Sequence, residues 1–241
     1  FFANSKEYLP SDKPPFDSLM KLNSLGDKDV LEIGVGNGSH ASLLASRAKL
    51  FVGIDLTDYA VKSTVERFRV FGLPGRIVKM DAERLEFPDG SFDFIWSWGV
   101  IHHSSDTRKI LEEIHRVLRP GGRAAIMVYH RGWWNYYVAG FLQGLASGNI
   151  FKTGSLHKSI QLQTDGAIAR YYTPGEWRKL VIDLFEPTSI FVLGPKSDVL
   201  PFPAGRIKDY VKKLLPNSLN SFLTRTFRMG VFLNSDLRKR S

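Results

Sequence analysis

Short apolar runs alternate with helical patterns through the first 130 residues, and this alternation restricts the fold more than any other feature. Val30-Leu31-Glu32-Ile33-Gly34 is a buried-strand run, followed by a helix over Ala41 to Ala48. Leu50 to Asp55 is a second strand, with a helix over Tyr59 to Phe71 after it. Arg76 to Met80 is a third, ending at Asp81, and Phe92 to Ser97 is a fourth, reached through a Pro-Asp-Gly turn at Pro88–Gly90. Asp106 is placed to cap a helix whose Ile110, Leu111, Ile114, Val117 and Leu118 recur at helical spacing. Pro120-Gly121-Gly122 stops it, and Ala124 to Tyr129 is a fifth strand. Strand–helix–strand units with continuously apolar strands predict an α/β fold, a doubly wound and mostly parallel sheet with helices on both faces. Ligands in such sheets bind beyond the carboxyl ends of the strands.

Three glycines, Gly34, Gly36 and Gly38, alternate in the loop after the first strand. They let the backbone turn tightly and lie against a ligand. Asp55 and Asp81 end the next two strands at the same edge, where carboxylates accept hydrogen bonds from hydroxyl or amino groups. Each acid alone reads equally well as a helix cap; three features in register on consecutive strands point to a ligand. The dinucleotide fingerprint has its third glycine one residue later, where Ser39 stands. No phosphate-cradling Gly-x-x-x-x-Gly-Lys-Ser/Thr loop is present either.

Glu32-x-Gly34-x-Gly36-x-Gly38, Asp55, Asp81-Ala82 and Pro120-Gly121-Gly122 before a strand together resemble the class I S-adenosylmethionine-dependent methyltransferases. The resemblance covers about residues 28–130 and is nearest to the small-molecule type of ubiquinone and menaquinone biosynthesis. It implies a Rossmann-like sheet of seven strands, the last antiparallel. Thr173 to Phe185 would be the last sheet-covering helix, and Ser189–Leu193 and Phe227–Leu233 the remaining strands. By the same resemblance Glu32, Gly34, Gly36 and Gly38 hold the methionine part of S-adenosylmethionine, Asp55 the ribose, and Asp81 with Ala82 the adenine. Asn37 and Leu56 belong to the same candidate set, and Ser97 and Trp98 line the pocket near the sulfonium. The product would be S-adenosylhomocysteine.

Methyl transfer is an in-line displacement that needs alignment, a dry site and a free lone pair on the acceptor. A general base is needed only for an alcohol, phenol or carbon acid. His102 and His103 follow the fourth strand at the cofactor edge, with His103 the first candidate for a base. The pair equally suits a loop-shaping role through backbone hydrogen bonds. Tyr129 and His130, closing the fifth strand, are second candidates. His40 and His115 sit on helices and read as surface or packing residues. The histidines lack a metal-ligand arrangement, so no metal is expected.

The chain has no cysteine, which excludes a thiolate adduct on cytosine as well as disulfides. The fourth strand ends Ser97-Trp98-Gly99-Val100, without the Asn/Asp-Pro-Pro-aromatic turn that grips planar amino groups. Oxygen or carbon acceptors on small molecules are favoured.

Charge divides the chain. Residues 1–130 carry 17 basic and 17 acidic side chains, whereas residues 131–241 carry 16 and 7, so the net +9 lies wholly in the second part. Residues 132–151 are a 20-residue uncharged stretch rich in Trp and Tyr, with Gly140, Gly144 and Gly148 every fourth residue. Its polar interruptions argue against a transmembrane helix. Residues 131–172 therefore read either as a helix packed on the domain or as a Gly-jointed aromatic lid over an acceptor. In the second case Trp133, Trp134, Tyr137, Arg170 and Tyr171 are the candidate acceptor contacts. Arg170 and Tyr171 suit pinning the lid equally well.

An insertion over residues 201–225 carries an apolar stripe (Ile207, Tyr210, Val211, Leu214, Leu215) opposite Arg206, Lys208, Lys212 and Lys213. It suits an anionic membrane surface or a helix covering the sheet edge. Arg238-Lys239-Arg240 reads as a solvated tail. Phe1-Phe2-Ala3-Asn4 lacks both an initiating Met and the pattern of a secretory signal, so an internal start and a cytoplasmic chain, with peripheral membrane contact, are expected. One domain spans 1–241. The leading function is methylation of a small apolar or acidic molecule. A nucleic-acid (RNA) methyltransferase and a non-catalytic S-adenosylmethionine-binding scaffold are the alternatives. Nucleic acid is disfavoured because no RNA-binding module is recognised, and the oligomeric state is not legible.

Overall fold

Four consecutive buried residues, Val30 to Ile33, form β1 (Asp29–Ile33) at the centre of a mixed sheet. The computed structural model describes residues 19–162, 164, 168–200 and 205–240. The expected segments 166–167 and 201–204 lie outside the described residues. β1 pairs in parallel with β2 (Leu50–Asp55) on one side and with β4 (Phe92–Trp98) on the other. β3 (Arg76–Lys79) extends the sheet beyond β2, and β5 (Leu118–His130) beyond β4. The order is completed by β7 (Phe185–Leu193) and β8 (Phe232–Lys239) as β3-β2-β1-β4-β5-β8-β7, with β8 antiparallel to both neighbours. The strand order reverses between β1 and β4, and a ligand crevice opens at such a reversal.

Helices cover both faces. On one face α1 (Ser39–Ala45) and α2 (Asp58–Phe71) bury Leu44 and Phe68 against Val30, Phe51 and Trp96. On the other, α3 (Thr107–Val117) buries Ile110, Leu111, Ile114 and Val117 against Leu31, Ile95 and Ile126. Asp106 caps α3 by accepting from the Lys109 N–H, as its position predicts.

After β5 a π-helical turn, Trp133–Ala139, leads into α4 (Gly140–Ala146), α5 (Asn149–Thr153) and α6 (Leu156–Gln161). The glycines here are packing contacts. A Cβ on Gly140 would lie 2.9 Å from Ile160 Cδ1, and one on Gly144 would lie 2.7 Å from Ser159 Oγ. Gly148, between α4 and α5, and Gly154, between α5 and α6, sit instead at left-handed turns.

The chain then adds a short strand that the sequence did not announce, β6 (Tyr171–Tyr172), parallel to the end of β5. α7 (Pro174–Val181) opens with a capping box between Thr173 and Glu176. It ends four residues before the expected Phe185, which is fully buried and begins β7 instead. β7 tolerates Pro187 because it is an edge strand.

The last strand also differs from expectation. It runs over 232–239, past the predicted 227–233, and takes in Arg238 and Lys239. Long-range partners hold it there. Asp236 pairs with Arg123, and Lys239 donates to the Leu118 carbonyl. Between β7 and β8 lie α8 (Lys196–Val199), α9 (Arg206–Leu214) and α10 (Asn217–Arg225). No helix among the described residues is long and apolar enough to cross a membrane.

Candidate active site

The glycine loop is held from three sides. The Gly34 N–H donates to the Ile54 carbonyl at 2.8 Å, and Thr64 and Arg67 of α2 reach over from behind. Thr64 Oγ1 donates to the Gly36 carbonyl and Arg67 Nε to the Asn37 carbonyl. All three glycines have φ between +52° and +83°, a region that L side chains enter at a cost. Their surroundings differ. A Cβ on Gly34 would collide with Val100 at 2.1 Å, and one on Gly38 would meet Thr64 at 2.9 Å. A Cβ on Gly36 would meet nothing within 4 Å. The first and third glycines are therefore required by the protein's own packing, whereas the middle one faces open space.

Asp55 fastens the loop from the front. One carboxylate oxygen accepts the Gly36 N–H at 3.1 Å, the other the Thr57 N–H and hydroxyl at 2.9 Å each. Glu32 lies beneath, fully buried, and its Oε2 has no hydrogen-bond partner. Burial, reinforced by the Asp55 charge, pushes its carboxyl well above the usual range. Asp81 stands exposed on the rim and accepts the Glu83 N–H. Glu83 in turn accepts the Ser104 and Ser105 hydroxyls, both at 2.7 Å, and the Asp106 N–H. These bonds, Ser105's first, hold it down to about 2 and tie the loop after β3 to the loop after β4.

Between these loops opens a cleft of about 550 Å³, lined by Gly34, Asp55, Leu56, Asp81, Ala82 and His103 among others. Small-molecule sites span about 300–1,000 Å³. A second cavity of about 370 Å³ lies under the lid, between Tyr129, Tyr136, Ile160, Tyr171 and Phe232. Two rings join the spaces. His103 lines the cleft, Tyr129 lines the lid cavity, and their rings meet edge to face at 5.6 Å.

Comparison with known proteins decides what this arrangement belongs to. A family described as "Methyltransferase domain" matches residues 31–126. The chain carries a class I S-adenosylmethionine-dependent methyltransferase domain. It is 36% identical to 27-O-demethylrifamycin SV methyltransferase of Amycolatopsis mediterranei, over 42% of this chain and 38% of that protein. It is 38% identical to methyltransferase GfsG of Streptomyces halstedii, over 69% of this chain and 56% of that protein. The chain thus spans between a third and somewhat over half of these curated relatives. A SAM-dependent methyltransferase of Methanosarcina mazei shares the fold, with a TM-score of 0.62 at 21% identity, over 95% of this chain and 99% of that one.

The methyltransferase cleft fits its cofactor on two observations: the open space at Gly36 and the unpartnered buried oxygen of Glu32. Gly34 and Gly36 would flank the methionine part, Asp55 the ribose, and Leu56 and Ala82 the adenine. Asn37 acts within the loop, its side chain accepting the Ser39 N–H and hydroxyl at the start of α1. Ser97 is buried in β4 on the α3 side with its hydroxyl unpartnered. Trp98 is carried to the opposite face by strand alternation. It stacks on Trp96 at 5.5 Å and meets His40 edge-on, away from the cleft. Among the described residues no three His, Asp or Glu side chains converge as a metal site.

The histidines separate by environment. His102 is fully buried between His103 and Tyr129, neither ring nitrogen has a partner, and burial lowers it to about 3. His130 is also buried, with Nδ1 donating to the Gly230 carbonyl at 2.8 Å. His103 Nδ1 is 2.7 Å from the Ile168 carbonyl. A carbonyl only accepts, so Nδ1 carries the proton and, in the neutral ring, Nε2 keeps a lone pair. His40 and His115 are packing residues, beside Trp96 and Phe185.

In the lid the expected acceptor contacts also divide. Trp133 and Trp134 donate their indole N–H groups to the Phe227 and Asp198 carbonyls, tying the lid down, and Tyr137 is half exposed. Arg170 donates to the Ser104 and Ser105 carbonyls and fixes the loop after β4. Tyr171 does line the cavity, and so does Tyr136, an aromatic of the same stretch that was not among the expected acceptor contacts. Thr64, Arg67 and Glu83 were passed over too. Their only sequence signal is polar side chains three residues apart on α2 and a glutamate two residues after Asp81.

Glu32 offers a separable test. Between the ordinary glutamate pKa and the raised one, the unfolded chain has lost its proton while the folded chain keeps it. Stability therefore falls as pH rises through that window. Glu32→Gln is expected to remove this fall and raise the melting temperature of the ligand-free protein at pH 8 relative to wild type. Cofactor affinity should drop about 10- to 100-fold, the worth of a hydrogen bond to a charged group. Thermal denaturation at pH 5 and 8, with calorimetric titration, measures both; an unchanged pH profile would refute the assignment.

Proposed function

We propose that the chain transfers a methyl group from S-adenosylmethionine to an oxygen or carbon of a small, neutral, apolar acceptor seated under the lid. The observation that carries this reading is the contact between His103, in the cofactor cleft, and Tyr129, in the lid cavity. Among the described residues no Lys, Arg, Asp or Glu lines the lid cavity, and burial keeps His130 below its usual range. An apolar guest loses little there, whereas an acidic one finds no counter-charge. Two relatives are named for methylating small molecules, 27-O-demethylrifamycin SV and demethylmenaquinone.

Bound in the cleft, S-adenosylmethionine supplies an electrophilic methyl group. This chain's residues supply the rest. Tyr129, Tyr136 and Tyr171 orient a flat acceptor and exclude water, and such alignment is worth up to about 7–11 kcal/mol. His103, with Nδ1 tied to Ile168, presents Nε2 to take a proton from an acceptor hydroxyl. Arg170 and Glu83 hold the loop that carries His103.

The test begins with calorimetry. Wild type should bind S-adenosylmethionine, and Asp55→Ala should bind it about 10- to 100-fold more weakly, having lost a carboxylate that accepts three hydrogen bonds. Isotopically labelled donor added to cell extract should then label an apolar small molecule, read by mass spectrometry. Absence of donor binding would sink the proposal, and label appearing in RNA would move it to the nucleic-acid reading.

A further inference from the structure

None of the described residues between β7 and residue 230 lines either cavity, yet this segment holds an unpartnered apolar surface. No residue of α9 is buried. Ile207, Tyr210 and Leu214 share one helical face by their spacing, and they are 72%, 65% and 63% exposed. A helix that merely covered the sheet edge would bury that stripe; this one does not. Nearby in the chain, Phe222 and Phe227 meet edge to face at 5.4 Å with both rings about half exposed. The Phe227 carbonyl takes the indole N–H of Trp133, itself half exposed.

Charge identifies what covers such a face. Residues 205–228 contain six basic side chains and one acidic, Asp209. A second copy would bring two strongly positive segments together. A nucleic acid would answer the cations and leave the apolar stripe in water. An anionic bilayer answers both, with apolar side chains below the headgroups and Lys or Arg among them. We propose that α9 docks this protein on an anionic membrane surface, lying in the interface with Ile207, Tyr210 and Leu214 inserted. Nine residues reach about 14 Å, less than half of the hydrocarbon core, so the attachment is peripheral.

If the proposed function holds, the placement also suits the reaction. Trp133 and Trp134 of the lid donate to the Phe227 and Asp198 carbonyls of this segment, and Val231 and Phe232 line the lid cavity, so the docking segment and the acceptor cavity are joined through the lid. The docking itself stands without that reading.

Co-sedimentation of the full chain with vesicles tests it. Vesicles of phosphatidylcholine mixed with phosphatidylglycerol should carry the protein down, pure phosphatidylcholine should not, and added salt should weaken the association. Lys208→Ala with Lys213→Ala should lower the partition coefficient about 25-fold, at about fivefold per cation. Ile207→Ser and Leu214→Ser should each lower it about tenfold. Calorimetry of every variant with S-adenosylmethionine should match wild type, which shows the fold intact and keeps this result apart from donor binding. The proposal is overturned by binding to neither vesicle, by equal binding to both, or by a dimer that Leu214→Ser disperses. Retention on RNA in place of vesicles overturns it as well.

Discussion

Gly34→Ala is expected to weaken S-adenosylmethionine binding strongly while leaving a folded, less stable protein. The new methyl would fall 2.1 Å from Val100 Cγ2 and within 2.9 Å of two more Val100 atoms. The loop cannot retreat, because the Gly34 and Val35 N–H groups are both bonded to the Ile54 carbonyl. Overpacking of this kind costs about 1–3 kcal/mol, and an L-residue at φ +83° about 1–2 kcal/mol more. If the loop escapes by leaving its binding conformation, affinity falls by about 30-fold to a few thousand-fold. Gly34→Ala with Val100→Ala should recover the steric part and leave the backbone part. Gly36→Ala provides the contrast. Its methyl meets nothing in the protein, so its effect should fall more on affinity than on melting temperature. Calorimetry and thermal denaturation of the three variants decide it. Wild-type affinity in Gly36→Ala would mean that the open space beside that glycine does not receive the cofactor.

Those glycines also show how far the sequence could be read. Their spacing announced the loop, but it presents three equivalent residues, and only the placement of Val100, Thr64 and Arg67 separates structural glycines from the one facing a ligand. Arg67 is harder still. A cation on a surface-like helix normally reads as solvated, yet this one is 2% exposed, its guanidinium bonded to the Asn37 carbonyl. Local pattern carried the parallel strands and α3 because their side chains meet a uniform apolar environment. It failed at β8, where Asn234 and Ser235 are buried in a segment that looks polar. Ser235 is satisfied by accepting from Trp177 Nε1 and donating to the Ile126 carbonyl, contacts 58 and 109 residues away.

The lid shows the same limit on function. Its aromatic composition left 131–172 open between a helix packed on the domain and a lid over an acceptor, and a cavity lies beneath it. Which rings face inward depends on the π-helical turn at 133–139, which breaks the helical period. Tyr136 points to the cavity, and Trp133 and Trp134 point to the β7–β8 connection. Strand alternation likewise sends Ser97 and Trp98 to opposite faces, and nothing in their identities says which face holds the cleft.

Replacing His103 separates a base from a loop tether. If Nε2 takes the acceptor proton, His103→Ala should lower kcat about 10²- to 10⁴-fold with cofactor affinity kept. Alanine alone is ambiguous, since it also removes the bond from Nδ1 to the Ile168 carbonyl. Asparagine resolves this: its amide N–H occupies the place of Nδ1–H and keeps that bond, but it has no basic nitrogen. His103→Asn should therefore be as slow as His103→Ala while restoring its lost thermal stability. Recovery of turnover in His103→Asn would reduce His103 to a positioning residue. His102→Phe is the companion measurement. Its ring is fully buried with neither nitrogen partnered, so an apolar ring of similar shape should leave kcat within a few-fold of wild type. Single-turnover kinetics with the acceptor found by isotope labelling measure all three. A loss in His102→Phe as large as in His103→Ala would place the proton path through the buried ring.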